Sequence, residues 1–199
     1  ALGLKTINSD THFERYMKQA NMSMKMVQGG SGTVNPERDR LRGKAKALAT
    51  KQMDIHVPAR LGLIFDTTSA KAGKIQSYKK QLDALGYEYK MVFVKTRLEL
   101  AQRLNSMRAR TLPPEILVKE HEAVEKNANV FKRIFKNDFI EIVNDDTVKS
   151  LQNKSSKLFG HLMTWAGKFP TNKIALAWKQ GEILKKYTYV RGRIKEERT

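Results

Sequence analysis

Two short apolar runs constrain this chain more than any other feature. Residues 61–65 read Leu-Gly-Leu-Ile-Phe, and residues 89–94 read Tyr-Lys-Met-Val-Phe-Val. A run with no polar face must have both faces covered, as in a parallel sheet layered between helices. Between the runs, residues 71–85 place Ile75, Tyr78, Leu82 and Leu85 on one helical face. Gly86 follows, where a helix needs a left-handed C-cap. Strand, helix and strand in this order predict a right-handed crossover and a mostly parallel α/β sheet flanked by helices. Open parallel sheets put their chemistry at the carboxyl ends of the strands. Here the first run ends in Asp66-Thr67-Thr68, and the second leads to a helix carrying Arg103, Arg108 and Arg110. Arginine grips phosphate bidentately, so the layout suits a phosphate-handling protein.

The same alternation extends in both directions. An apolar stretch ends at Ile7, and Asn8-Ser9-Asp10 follows, where Ser or Asp can cap a helix over 11–20. Residues 27–36 hold Gly-Gly-Ser-Gly and a proline, which predicts a flexible loop. A basic helix is expected over 37–51, with Leu41, Ala45 and Leu48 on one side. A further helix over 97–107 turns Leu100, Leu104 and Met107 inward. Pro114 suits the first turn of the next helix, whose stripe is Leu117, His121, Val124, Ala128, Phe131 and Phe135. A fourth strand is expected over 140–143. Two helices follow, over 147–167 and 171–187, with a frayed, charged tail from Arg191. Four strands (4–7, 61–65, 89–94 and 140–143) are expected in one parallel sheet. The expected division is an α/β domain over 1–146 and a helical C-terminal extension over 147–199.

Composition narrows the chemistry. The 199 residues suffice for one sizeable core. There is no cysteine, which removes disulfides and thiolate metal sites. His12, His56, His121 and His161 lack ligand spacing. No apolar run is long enough to span a membrane, so no membrane partner is expected. Lys and Arg number 38 against 20 Asp and Glu, a net charge of +18. Polyanions such as nucleic acid are natural partners of that surface. The excess is also spread along the whole chain, as a general lysine bias would leave it.

The run from Leu61 through Leu117 resembles the middle of a P-loop kinase. It is most similar to the small kinase-like proteins of bacteriophages related to zeta toxins and polynucleotide kinases. The residues that carry the resemblance are Asp10 after one strand, Asp66 with Thr68 after the next, and the apolar Met91–Val94. Arg103, Asn105, Arg108 and Arg110 then occupy a lid-like segment. The helix from Pro114 and the strand near Ile140 continue it, so that it covers roughly residues 1–145. The resemblance implies transfer of the γ-phosphoryl of ATP, with Mg²⁺, to a hydroxyl of a nucleic acid, nucleotide or small molecule. It also implies a cytoplasmic location, in the host cell if phage-encoded. Asp10 would bind and deprotonate the acceptor. Asp66 would orient Mg²⁺ or hold a catalytic lysine. Arg103 and Arg110 would stabilise charge, while Thr68, Asn105 and Arg108 would contact the nucleotide.

The departure from that pattern is large. Such kinases carry Gly-x-x-x-x-Gly-Lys-[Ser/Thr] between their first strand and first helix. Gly73-Lys74 lacks the earlier glycine because position 68 is Thr. Gly167-Lys168 is followed by Phe169, and Gly29-Gly30-Ser31-Gly32 has no lysine. The chain starts where the family enters its second strand, so a first strand and P-loop are expected upstream of Ala1, or the nucleotide site is lost. A non-catalytic basic protein that binds nucleic acid or joins a larger particle is the alternative. Structural roles stand beside the catalytic ones. Asp10 and Asp66 can be helix caps, and the arginines can be a solvated helix end. His121 reads as a packed histidine, and Trp165 and Trp178 read as core or interface anchors.

Overall fold

The computed structural model describes residues 3–25, 35–145 and 148–196. It is an α/β structure with the order β1 (Lys5–Ile7), α1 (Ser9–Gln19), α2 (Pro36–His56), β2 (Leu63–Phe65), α3 (Ala72–Ala84), β3 (Met91–Thr96), α4 (Leu98–Met107), α5 (Pro114–Phe135), a 3-10 turn over Lys136–Asp138, β4 (Phe139–Asn144), α6 (Val148–Ala166) and α7 (Lys173–Glu196). The glycine loop expected over 27–36 lies mostly outside the described residues. Among them, no helix is long and apolar enough to cross a membrane.

Local signals account for most boundaries. Asn8, in extended conformation, caps α1 by accepting from the amides of Asp10 at 2.6 Å and Thr11 at 3.3 Å. The cap is therefore Asn8, not the Ser or Asp expected. Asn35 caps α2 through the Arg38 amide at 2.9 Å, and Pro36 opens the helix. Gly86 takes φ +74°, as a C-cap glycine should. A β-carbon there would also lie 2.8 Å from the amide nitrogen of Ala175, so the start of α7 packs against this turn.

The four strands do not make the single sheet that was expected. β1 pairs with β2, parallel, with Ile7 opposite Phe65. β3 pairs with β4, parallel, with Phe93 opposite Glu141. β2 and β3 share no ladder, so the sheet is two separate pairs. Helix α3 serves both. Its Tyr78 packs on a cluster of Ile7, Ala49 and Met53 with Leu63 and Phe65. Its Ala72 and Ile75 pack on Phe93, Phe131 and Phe135. A third cluster joins α1 to α2 through Phe13, Met17, Leu41 and Ala45.

Nor are both faces of the strands covered. Ile64 is 46% exposed and Val94 53%, although Phe93 between Val92 and Val94 is buried. A two-stranded pair offers each helix little width, so α5 covers one face while the other is only partly covered, where α6 borders Ile140 and Ile142. Met107, expected inward, is 76% exposed, because α4 ends at it and the chain leaves in extended conformation at Arg108. The tail expected to fray from Arg191 is helical through Glu196.

Candidate functional site

The chemistry gathers where β1 and β2 end. Both strands run the same way, so Asn8 and Asp66 emerge side by side, and the Asp66 amide still bonds the Ile7 carbonyl at 3.1 Å. The Asn8 amide donates to Asp66 Oδ2 at 2.5 Å while its carbonyl oxygen caps α1. One asparagine thus fixes the Asp66 carboxylate relative to the first turn of α1. Asp10 stands in that turn.

Arg110 reaches the same place from far along the chain. Its Nε donates to Glu14 Oε1 at 2.8 Å, and its Nη2 lies 3.3 Å from Asp10 Oδ1. Its guanidinium also sits 6.0 Å from the centre of the Phe13 ring. The Arg110 side chain is mostly covered at 16% exposure, while Asp10 keeps 44%, so the carboxylate faces outward from the pair. Two devices hold Arg110 here. A parallel bridge joins Lys25 to Thr111. The buried side chain of Asn105 clamps Leu112, donating to its carbonyl at 2.9 Å and accepting from its amide at 2.8 Å. Asn105 therefore holds the segment that carries Arg110, with both its amide nitrogen and its carbonyl oxygen engaged by Leu112.

The remaining expected residues fall around this group. Thr68 is exposed in the turn after Asp66. That turn is pinned by Asn127 of α5, whose side chain donates to the carbonyls of Ser69 at 3.2 Å and Ala70 at 2.8 Å. Arg103 and Arg108 are exposed on and just after α4. His121 is a packed histidine, with Nε2 2.8 Å from the Thr96 carbonyl oxygen. Trp165 and Trp178 are half-buried or exposed beneath Lys90 and Arg60 respectively. Sequence reasoning missed Asn8, Glu14 and Asn127 as site-building residues. The signal for Asn8 was its residue type, since Asn caps helices as well as Ser or Asp does. Nothing in the spacing of Glu14 or Asn127 marks a partner 96 or 58 residues away.

No protein-family model matches the chain, and neither a curated protein nor a solved structure matches it.

Proposed function

We propose that this chain belongs to an ATP-dependent, P-loop-kinase-like phosphotransferase acting on a hydroxyl of a nucleic acid, nucleotide or small molecule. The observation that carries the reading is the meeting of Asp10, Asp66 and Arg110 at the carboxyl ends of two adjacent parallel strands. That is where an open α/β sheet does its chemistry. Asp10, half exposed and oriented by Arg110, takes the acceptor proton in this reading. Asp66 serves Mg²⁺. Such a metal uses one or two protein carboxylates and fills its remaining positions with phosphate oxygens and water. Asp66 Oδ1 has no hydrogen-bond partner among the described residues, so it suits that role. ATP supplies the phosphoryl group, and arginine charge offsets the negative charge of the transition state.

The division of the strands supports the finer fold. Kinases of this type place their first strand near the sheet centre. Here β2 and β3 each pair on one side only, and Ile64, Val92 and Val94 are exposed on them. A strand and P-loop from residues other than these would complete the sheet. The second reading, a non-catalytic basic binding protein, is favoured by the absence of Gly-x-x-x-x-Gly-Lys-[Ser/Thr] from the sequence.

The test is phosphoryl transfer from labelled ATP. The 199-residue chain should show none, because no amide cradle or P-loop lysine neutralises the β–γ bridge. A longer chain carrying an upstream strand and P-loop should be active, and Asp10→Asn should then cut turnover while ATP binding persists. Transfer by the present chain, or full activity of Asp10→Asn, would reject the assignment.

A further inference from the structure

Of the arginines along the α1–α2 pair, Arg110 pairs with Asp10 and Glu14, and Arg40 with Glu37, whereas Arg38 and Arg42 have no carboxylate partner among the described residues. Arg110 is neutralised by Asp10 and Glu14. Arg42 of α2 is different. Its guanidinium lies 5.4 Å from the centre of the same Phe13 ring that Arg110 borders. It is half-buried and makes no ion pair among the described residues. One helical turn before it, Arg38 is held by a single hydrogen bond, from Nη2 to the Ser23 carbonyl at 3.2 Å. Its Nε is buried and has no partner among the described residues. Buried donors of charged groups are ordinarily satisfied, so this guanidinium has hydrogen-bonding capacity left for an acceptor.

The order of these groups along the fold is informative. Met17 packs with Leu41 and Ala45, and His12 Nε2 lies 3.0 Å from Gln52 Oε1, so α2 runs antiparallel to α1. Arg38 then stands by the C-terminal end of α1, Arg42 beside its middle, and Arg110 by its start at Asp10. Arg38 and Arg42, at i and i+4, share one face of α2 at a spacing of roughly 5–6 Å between β-carbons. The cations form a track that leads to the Asp10 carboxylate. Phe13 is 1% exposed, and the guanidinium groups of Arg42 and Arg110 lie 5.4 and 6.0 Å from the centre of its ring, so one buried aromatic borders two of the cations.

We propose that Arg42 and Arg38 bind a phosphate group carried by the acceptor, holding it along α1 so that the acceptor hydroxyl reaches Asp10. The assignment of that ligand as an acceptor rests on the kinase reading above; the anion site does not. The shared chemistry is a phosphate monoester or diester, which a mononucleotide or a single strand of nucleic acid can each supply. Bidentate arginine contacts suit it, and arginine is the residue whose loss lysine replaces poorly at such a site.

The test is equilibrium binding of a fluorescein-labelled thymidine hexanucleotide to the 199-residue chain, by anisotropy, at low and physiological salt and without ATP. Arg42→Gln should weaken binding about tenfold and reduce the slope of log affinity against log salt by about 0.7, as loss of one single-strand phosphate contact does. Arg38→Gln should act in the same direction, and Arg42→Lys should recover only part of the loss. Thermal unfolding of each variant separates lost binding from lost structure. Should Arg42→Gln melt early, the Arg42→Lys and Arg38→Gln variants carry the test. Competition by thymidine monophosphate, at equal phosphate concentration, would assign the group to a mononucleotide; competition by unlabelled hexamer alone would assign it to a strand. Wild-type affinity and salt slope in Arg42→Lys and Arg38→Gln would overturn the site. Because ATP is absent, a failure of phosphoryl transfer leaves this result standing, and the reverse also holds.

Discussion

β1 and β2 pair over three residues each and open onto Asn8 and Asp66, whereas β3 and β4 pair over six and open onto Thr96 and Asn144. At the second pair the strand ends are closed by the fold itself. His121 takes the Thr96 carbonyl, and Lys154 donates to the Val143 carbonyl at 3.0 Å and to Asp145 at 2.7 Å. At the first pair the polar groups bind one another in the open, with Asp66 exposed and Asp10 half uncovered. The cores differ in the same sense. β3 rests on Phe131 and Phe135 with the ring of Phe93 among them, while β1 rests on the smaller Ala49 and Met53. The same parallel geometry thus serves as a packed frame on one side and as a platform for charged groups on the other.

The largest effect should come from the frame. Phe131 is fully buried, so Phe131→Ala should cost about 3–5 kcal/mol by lost transfer and a cavity that cannot collapse. Urea unfolding measures it, and a loss near 1 kcal/mol would mean that the second pair is not the better packed. On the platform side, Asn105→Ala should cost about 1–3 kcal/mol, because it leaves the Leu112 amide and carbonyl without partners. Were Asn105 a nucleotide ligand, as the resemblance implied, the variant would unfold like the parent and lose ligand affinity alone.

Helices were legible because their signals are local. Pro114, Gly86 and the stripe through Phe131 lie within a turn or two of the boundaries they set. Asp10 and Asp66 were legible as carboxylates following apolar strands, and Arg110 as part of the arginine cluster after the next helix; the structure pairs Arg110 with Asp10 and joins Asp66 to the start of α1 through Asn8. Their partners were not, since Glu14 and Asn8 act through space and a helix N-cap looks the same whether or not its amide also holds a carboxylate. The split of the sheet was equally invisible. Apolar runs state that a strand wants cover and do not state which strand provides it.

That open face supplies a smaller effect. Val94 is 53% exposed, so Val94→Lys should change the stability of this chain by no more than about 0.5 kcal/mol. If a further strand or helix covers the face in a longer protein, the same substitution there should cost several times as much, on the order of 2 kcal/mol. Equal costs in both chains would leave the β2 and β3 edges as true edges.

The smallest effect tests whether charge near the second pair is structural. Glu88 lies just before β3, and its Oε1 accepts from the Thr171 amide and hydroxyl at 2.5 and 2.9 Å and from the Asn172 amide at 3.1 Å. It caps the approach to α7 from outside the helix. Burial works to raise its carboxyl pKa, but these hydrogen bonds and the charge of Lys90 outweigh it and leave the group below its ordinary value. A carboxyl depressed in the folded state contributes stability that is complete above its unfolded pKa, near 4.3, and is lost as pH falls through the lower folded value. The side chain is exposed, so screening should hold the contribution to a few tenths of a kcal/mol. Glu88→Gln should therefore lower the urea midpoint slightly at pH 7, and the gap should close as the pH is brought to about 3. A gap that stays constant with pH would mean that Glu88 holds α7 by shape and not by charge. The second strand pair would then have no charge-dependent element at its α7 contact to set against the Asp10, Asp66 and Arg110 group of the first.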